Sequence, residues 1–162
     1  MALSSSQTVA AAPQAVFEAL TSRECAEGVA ARVGGSLQDH QVTDDGDART
    51  TVTTYALPAD RLPDMVAKVL GKGLIIALTE AWGAPAADGS RTSTLAADVK
   101  SAPVKVSGTE TLAPQGEGSL LSMSGEVKSS IPFLGGKISQ AAEPFVDRLL
   151  AVRCQIVESQ LS

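Results

Sequence analysis

The feature that most constrains this chain is an apolar stripe over about its last fifth, from Ile131 to Ser162. Leu134, Ile138, Ala141, Phe145, Leu149, Val152 and Ile156 recur at steps of three and four, and Ala142, Val146, Leu150 and Val157 widen the stripe. That spacing predicts one long amphipathic helix with a broad buried face. Such a helix needs a surface as long as itself, and a curved sheet supplies one. Pro144 falls inside the stripe, where it removes a backbone hydrogen bond. Either a kink is expected there, or Ile131 to Gly136 is a loop and the rigid helix lies beyond Pro144.

Upstream, the pattern divides in two. Leu3 to Val9 alternates weakly and reads as a short first strand. Pro13 suits the first turn of a helix whose inner face is Val16, Phe17 and Leu20. Thr21 and Glu24 have capping-box spacing for a second helix, with Cys25, Ala26, Val29, Ala30 and Val33 inward and Gly34-Gly35 as its stop. From Ser36 the helical period gives way to alternation. Strands are expected over Leu37 to Thr43 and Arg49 to Leu57, joined by the turn Asp44-Asp45-Gly46-Asp47. Asp60 to Gly71 interrupts with a short amphipathic helix, its apolar face Leu62, Met65, Val66, Val69 and Leu70. This helix either plugs one end of the sheet or acts as a lid over an opening. Four more strands follow, Leu74 to Trp82, Arg91 to Lys100, Val104 to Leu112 and Ser119 to Ser130, separated by turns rich in Gly, Pro and Asp. The fold class is therefore α+β, a single domain over 1–162.

Composition excludes several functions. Net charge is −5 and the pI about 4.8, and no run of basic residues exceeds two. Nucleic acid and anionic membrane are poor partners for such a surface, because phosphate neutralisation needs a basic face. The longest apolar run, Leu74 to Leu78, is far short of the ~20 residues a membrane-spanning helix needs. Met1 to Ala12 lacks the basic start of a signal peptide, so a cytoplasmic location is expected. Cys25 and Cys154 fall on apolar helix faces and read as buried free thiols. The single histidine, His40, lies on a polar strand near a turn; a surface imidazole is expected, a general base being the alternative. No spacing of His and Cys suits a metal, and no phosphate loop or nucleophile elbow is present, so neither metal nor cofactor is expected.

Alternation assigns the inward face of the sheet. It carries Ile76, Leu78, Glu80 and Trp82, then Arg91, Ser93, Leu95, Ala97 and Val99. The next two strands add Val104, Val106, Gly108, Glu110 and Leu112, and Leu121, Met123, Gly125, Val127 and Ser129. Gly108 and Gly125 should come nearly opposite each other and leave bare backbone, as needed where another element or a ligand approaches. The inward side chains are small, and only 3% of the chain is aromatic. A helix bridging the curved sheet would leave them unable to reach native packing density, which predicts a cavity; close helix packing on the glycines is the alternative. Glu80, Arg91 and Glu110 break the apolar phase and need partners or water, either at an open rim paired with one another or as polar anchors in a pocket. Glu80 and Glu110 should stand roughly 10 Å apart, wide for a shared proton. Trp82 opposite Arg91 suggests a cation–π pair.

A strand, two short helices, a run of antiparallel strands and a long last helix is also the order of the helix-grip fold. The stretches Glu80-Ala81-Trp82-Gly83, Pro103-Val104-Lys105-Val106-Ser107-Gly108-Thr109 and Ile131-Pro132-Phe133-Leu134-Gly135-Gly136-Lys137-Ile138 resemble a domain-of-unknown-function branch of the START-like (SRPBCC) superfamily. That superfamily includes lipid-transfer domains, pollen allergens and polyketide aromatase/cyclases. The resemblance implies a curved antiparallel sheet of about seven strands wrapped around the C-terminal helix. It also implies a cavity between them for an apolar, lipid- or polyketide-like molecule, and it transfers no catalytic residue. The expected lining is Ile76, Leu78, Glu80, Trp82, Arg91, Leu95, Val106, Gly108, Glu110, Met123, Gly125, Val127, Phe145 and Leu149, with Met65 and Val69 as lid. Two other functions remain open: a cyclase- or hydrolase-type enzyme using Glu80, Glu110 or Tyr55, and a protein-interaction module presenting an apolar outer patch.

Overall fold

The computed structural model describes residues 2–61, 64, 67–68, 73–100, 104–129 and 135–161, with backbone alone for residues 2, 3, 61, 129, 135–143 and 145. Seven strands form one antiparallel sheet: β1 (Ala2–Val9), β2 (Ser36–Asp45), β3 (Ala48–Leu57), β4 (Leu74–Trp82), β5 (Arg91–Val99), β6 (Val104–Gln115) and β7 (Gly118–Ser129). Their order is β1-β7-β6-β5-β4-β3-β2, so β2 to β7 form a meander and β1 closes onto its last strand. Helices α1 (Pro13–Leu20) and α2 (Arg23–Arg32) follow β1, and α3 (Gly135–Leu161) ends the chain. Helix α3 lies along β1 and β7 and against α1 and α2. This is the sheet-and-helix arrangement that the two sequence periods predict.

Several local expectations are corrected. Helix α2 is capped by Ser22, whose hydroxyl accepts from the Cys25 backbone N–H at 3.1 Å, rather than by Thr21. The Thr21 hydroxyl instead donates back to Phe17 O at 2.9 Å, closing α1. Helix α3 runs unbroken through Pro144, whose ring is exposed, so no loop extends to Gly136. Strands β6 and β7 continue past Leu112 to a tight turn at Gly116, where a φ of +58° suits a residue without a Cβ. The expected lid helix, with Met65 and Val69, lies almost wholly outside the described residues, as do the turn 101–103 and the segment 130–134. Ala67, within the expected lid, packs against Leu57 and Leu74.

Gly108 and Gly125 are direct register partners, as predicted. The element that approaches them, however, is the adjoining strand itself. A Cβ on Gly108 would collide with Ser124 O and the Gly125 Cα, and one on Gly125 with Ser107 O. Here the sheet coils so tightly that neither strand has room for a side chain.

The core is concentrated at one end of the inner face. Trp82, Leu112 and Leu121 are buried there against Val16, Phe17 and Leu20 from α1 and Leu150, Cys154 and Val157 from α3. Phe17 meets Trp82 edge-on, with ring centroids 5.9 Å apart. The buried free thiols of Cys25 and Cys154 lie among these groups.

Candidate functional site

Register sorts the inward side chains into rows across the sheet. Beyond the packed row Arg91, Leu112 and Leu121, one row runs Arg49, Trp82, Ser93, Glu110 and Met123, and the next Thr51, Glu80, Leu95, Gly108 and Gly125. A third runs Thr53, Leu78, Ala97, Val106 and Val127, and a fourth begins with Tyr55 and Ile76. Burial is lowest in the middle of the sheet, between the first of these rows and the buried pair Leu57 and Leu74. Leu95, Met123 and Val127 are buried, whereas Ile76, Leu78, Ala97, Val106, Gly108 and Gly125 are only half-buried, although they face inward. Val146 and Leu149 of α3 are half-buried as well, packed like Leu78 and Val106 against the main core. The inner face thus has a packed base, a half-buried apolar band and, beyond it, a second small cluster of buried Leu57 and Leu74. Phe145 falls on α3 outside the described side chains.

Glu80 and Glu110 stand at the boundary between base and band, and both bind Arg153 of α3. Arg153 Nη2 donates to Glu80 Oε1 and Oε2 at 3.1 and 3.0 Å, and Nη1 donates to Glu110 Oε2 at 3.2 Å. All three residues are buried, Glu110 completely. The two carboxylates are therefore not rim groups, nor are they separated. The small Ser93 on the strand between them leaves room for both to converge on one guanidinium. A stripe traced from its apolar members alone misses Arg153. Yet it lies four residues after Leu149 and three before Ile156, an arginine on the buried phase facing two inward carboxylates.

Electrostatics distinguishes the two acids. Burial disfavours both ionised forms, but for Glu80 the Arg153 charge together with hydrogen bonds from Glu110 and Arg153 outweighs it and lowers the pKa. For Glu110, burial and then the Glu80 charge raise the pKa well above the ordinary carboxyl value, Arg153 notwithstanding. The shifts are opposite in sign, so Glu110 is the member of the pair that takes up a proton first as pH falls. The two acids also share a side-chain hydrogen bond, which lowers Glu80 and raises Glu110. Around the triad, burial pushes the Tyr55 hydroxyl up to about 12 and raises the Cys25 thiol, with Arg153 opposing both shifts.

Arg91 is a separate structural centre. Its Nη1 donates to Asp47 O at 2.7 Å and Gly83 O at 3.0 Å, and its Nη2 to Gln14 Oε1 at 3.3 Å. Its guanidinium lies 3.7 Å from the Phe17 ring centroid, so the cation–π partner is Phe17 rather than Trp82. Arg49 stands 5.0 Å from the same ring and pairs with Asp44 and Glu18. His40 is not a free surface imidazole. Its Nε2–H donates to the Thr21 carbonyl at 3.1 Å, which leaves Nδ1 to accept from the Thr53 hydroxyl at 2.9 Å.

A recess of about 710 Å³ opens on another surface, lined by Ser4, Ser5, Ser6, Gln7, Thr109, Thr111, Ser122, Met123, Ser124 and Asp147. Most of these belong to the outward phase, and their hydroxyls make it a hydrated groove rather than an apolar cavity. The exposed large apolar side chains among the described residues, Val42, Ile75 and Leu161, are spread over three elements and form no patch.

A curved seven-stranded antiparallel sheet gripping a long C-terminal helix defines the START-like class of helix-grip proteins. Within that class the chain belongs to the family described as "Protein of unknown function (DUF2505)", which residues 4–159 match. A relative from Mycobacterium tuberculosis, the uncharacterized protein Rv0481c, is 30% identical over 125 residues, 75% of this chain and 67% of the relative. Among solved structures, TTHA0849 from Thermus thermophilus is similar over 100% of both chains, with TM-score 0.67 and 15% identity. The Zhui aromatase/cyclase from Streptomyces sp. R1128 matches with TM-score 0.59 and 13% identity over 99% of this chain and 92% of its own. A STAR-related lipid transfer protein from Xanthomonas axonopodis matches with TM-score 0.52 and 14% identity, over 93% and 82%. These likenesses establish the shared fold. No described helix is long and apolar enough to cross a membrane.

Proposed function

We propose that the chain binds a hydrophobic small molecule on the half-buried band of its inner sheet face, beneath α3. The observation that carries this reading is the row Leu78, Ala97 and Val106, which faces inward yet stays only half-buried. A ligand laid along Ile76, Leu78, Val106 and Leu149 would complete their burial, stabilising the complex by about 25 cal/mol per Å² of apolar surface. Met65, Val69 and Phe145 are proposed as the remaining cover. The lipid transfer protein and the aromatase/cyclase that share the fold lend the reading support by analogy.

The test is native mass spectrometry of freshly purified protein, with a fluorescent fatty acid as added probe. Added mass that organic solvent removes, and probe binding that Val106→Trp abolishes while its melting temperature stays near wild type, are the expected results. A bare protein that takes up no probe overturns the proposal.

A second reading, acid–base chemistry at Glu110, is favoured by one feature: a buried carboxyl beside a guanidinium, its pKa raised by burial and by Glu80. Turnover of an ester or polyketone probe that disappears in Glu110→Gln at unchanged affinity is its expected signature. Equal turnover in the variant removes it.

A further inference from the structure

The net charge of −5 conceals a division of the chain into two electrical ends. Three connections gather at one end of the sheet: β3 to β4, β5 to β6 and β7 to α3. Residues 58–73, 98–105 and 126–137, which make or adjoin them, hold seven basic residues against four acidic ones. The rest of the chain holds six against fourteen. All six lysines belong to the first group, with one of the seven arginines. The opposite end carries exposed Asp44, Asp45 and Asp47 at the β2–β3 hairpin, Asp88 before β5 and Glu117 between β6 and β7. The nine residues of β4 and of β5 separate the two ends by ~30 Å. Screening at physiological salt acts over ~8 Å, so a surface approaching the lysine end meets that end's charge and not the total. An acidic total therefore does not bar this end from an anionic surface, as the sequence alone suggested.

The outer face at this end is also apolar at one point. Lys105 and Lys128 are register partners across β6 and β7, and Lys100 continues the outward phase of β5. Lys68 follows Ala67, which packs on Leu57 and Leu74 at the same end. All four lysines are exposed. Beside them Ile75 is 43% exposed, one of three large apolar side chains so exposed among the described residues. Its carbonyl accepts from the Lys100 backbone N–H at 2.8 Å, which holds the two residues side by side. Of the acids here, Asp98 lies 4.0 Å from Lys105, and Asp60, Asp64 and Glu126 are exposed.

We infer that this end docks on an anionic lipid surface, with Lys68, Lys100, Lys105 and Lys128 over the head groups and Ile75 reaching between them. The basis is the charge distribution and the exposed Ile75, independent of the hydrophobic-ligand reading above. Lysine is a compact, hydrated charge that suits a diffuse layer of head groups, whereas reading a duplex favours the bidentate fork of arginine. An apolar side chain within a basic rim leaves water at a bilayer and finds no such layer on a nucleic acid backbone. The acid-rich remainder of the molecule is repelled by the same surface, so a single orientation results.

Co-sedimentation of the full chain with vesicles tests the docking, one set of phosphatidylcholine and one of equal parts phosphatidylcholine and phosphatidylglycerol. Binding is expected to the mixed vesicles alone and to fall as salt is raised. Lys100→Glu with Lys128→Glu should weaken it about tenfold or more. Arg23→Glu with Arg148→Glu changes the net charge equally, on α2 and α3, and should weaken it much less. All these side chains are exposed, so each variant should melt near wild type. In Ile75→Trp, with the four lysines intact, the new indole should shift its emission to the blue on mixed vesicles, over the constant signal of buried Trp82. Absent binding, equal binding to both vesicle sets, equal loss in the two charge-reversal pairs, or an unshifted indole overturns the inference. So does a preference for duplex DNA or polyglutamate over the mixed vesicles, which would assign the lysines to nucleic acid or to an acidic protein.

Discussion

At the scale of single residues, Arg153 holds the interior together, because it is the group that makes two buried carboxyls tolerable. Arg153→Met leaves Glu80 buried without a counter-charge and should cost about 3–5 kcal/mol in urea unfolding. Replacing all three members by apolar residues of similar size should recover most of that loss, since it also removes the desolvation of the ions. A triple variant as unstable as the single one would show that Arg153 acts through packing instead. Glu80 and Glu110 were legible in the sequence because each interrupts an alternation that otherwise puts apolar groups inward. Their convergence was not, because flat-sheet spacing takes no account of curvature or of a small Ser93 between them. The aromatic partner of Arg91 escapes the sequence for a similar reason: strand phase ranks neighbours within the sheet but cannot see Phe17 arriving from α1.

At the scale of elements, β6 and β7 set the shape of the inner face. Gly108→Ala forces a methyl group into Ser124 O and the Gly125 Cα. It should destabilise the protein by about 1–3 kcal/mol or more in urea melts, because backbone yields less readily than side chains. Gly83→Ala is the control, since its new carbon meets only Thr92 O, at 3.6 Å. It should stay within about 0.5 kcal/mol of wild type. Equal losses in the two variants would contradict the crowding argument. Strand phase and turn chemistry located these elements closely, and β4 falls on the predicted residues, Leu74–Trp82. What eluded the sequence was decided by a shift of one residue, as at the Ser22 cap.

At the scale of the whole molecule, the triad couples stability to pH. The folded pKa of Glu110 is raised above 4.5, so its contribution is full below that pH and is lost as pH climbs through the raised value. Glu80 has the opposite sign: its contribution is present above 4.5 and is lost as pH falls through its lowered folded value. Stability from the pair therefore peaks in mildly acid solution. As pH rises above the ordinary carboxyl range, wild type should lose stability at up to about 1.4 kcal/mol per unit, and Glu110→Gln should show a flatter profile. Parallel profiles for the two proteins would remove Glu110 as the coupled group.

The placement of β1 has a consequence for how the chain assembles. Its neighbour in the sheet is β7, with Ala2 across from Glu126, so a ribosome delivers the first strand long before the surface that will receive it. For most of synthesis β1 has no native edge to join, and an unjoined edge is where chains stick to one another. Ser4, Ser5, Ser6 and Gln7 make that waiting segment hydrophilic. A newborn molecule thus stays harmless to its siblings until β7 emerges to complete it.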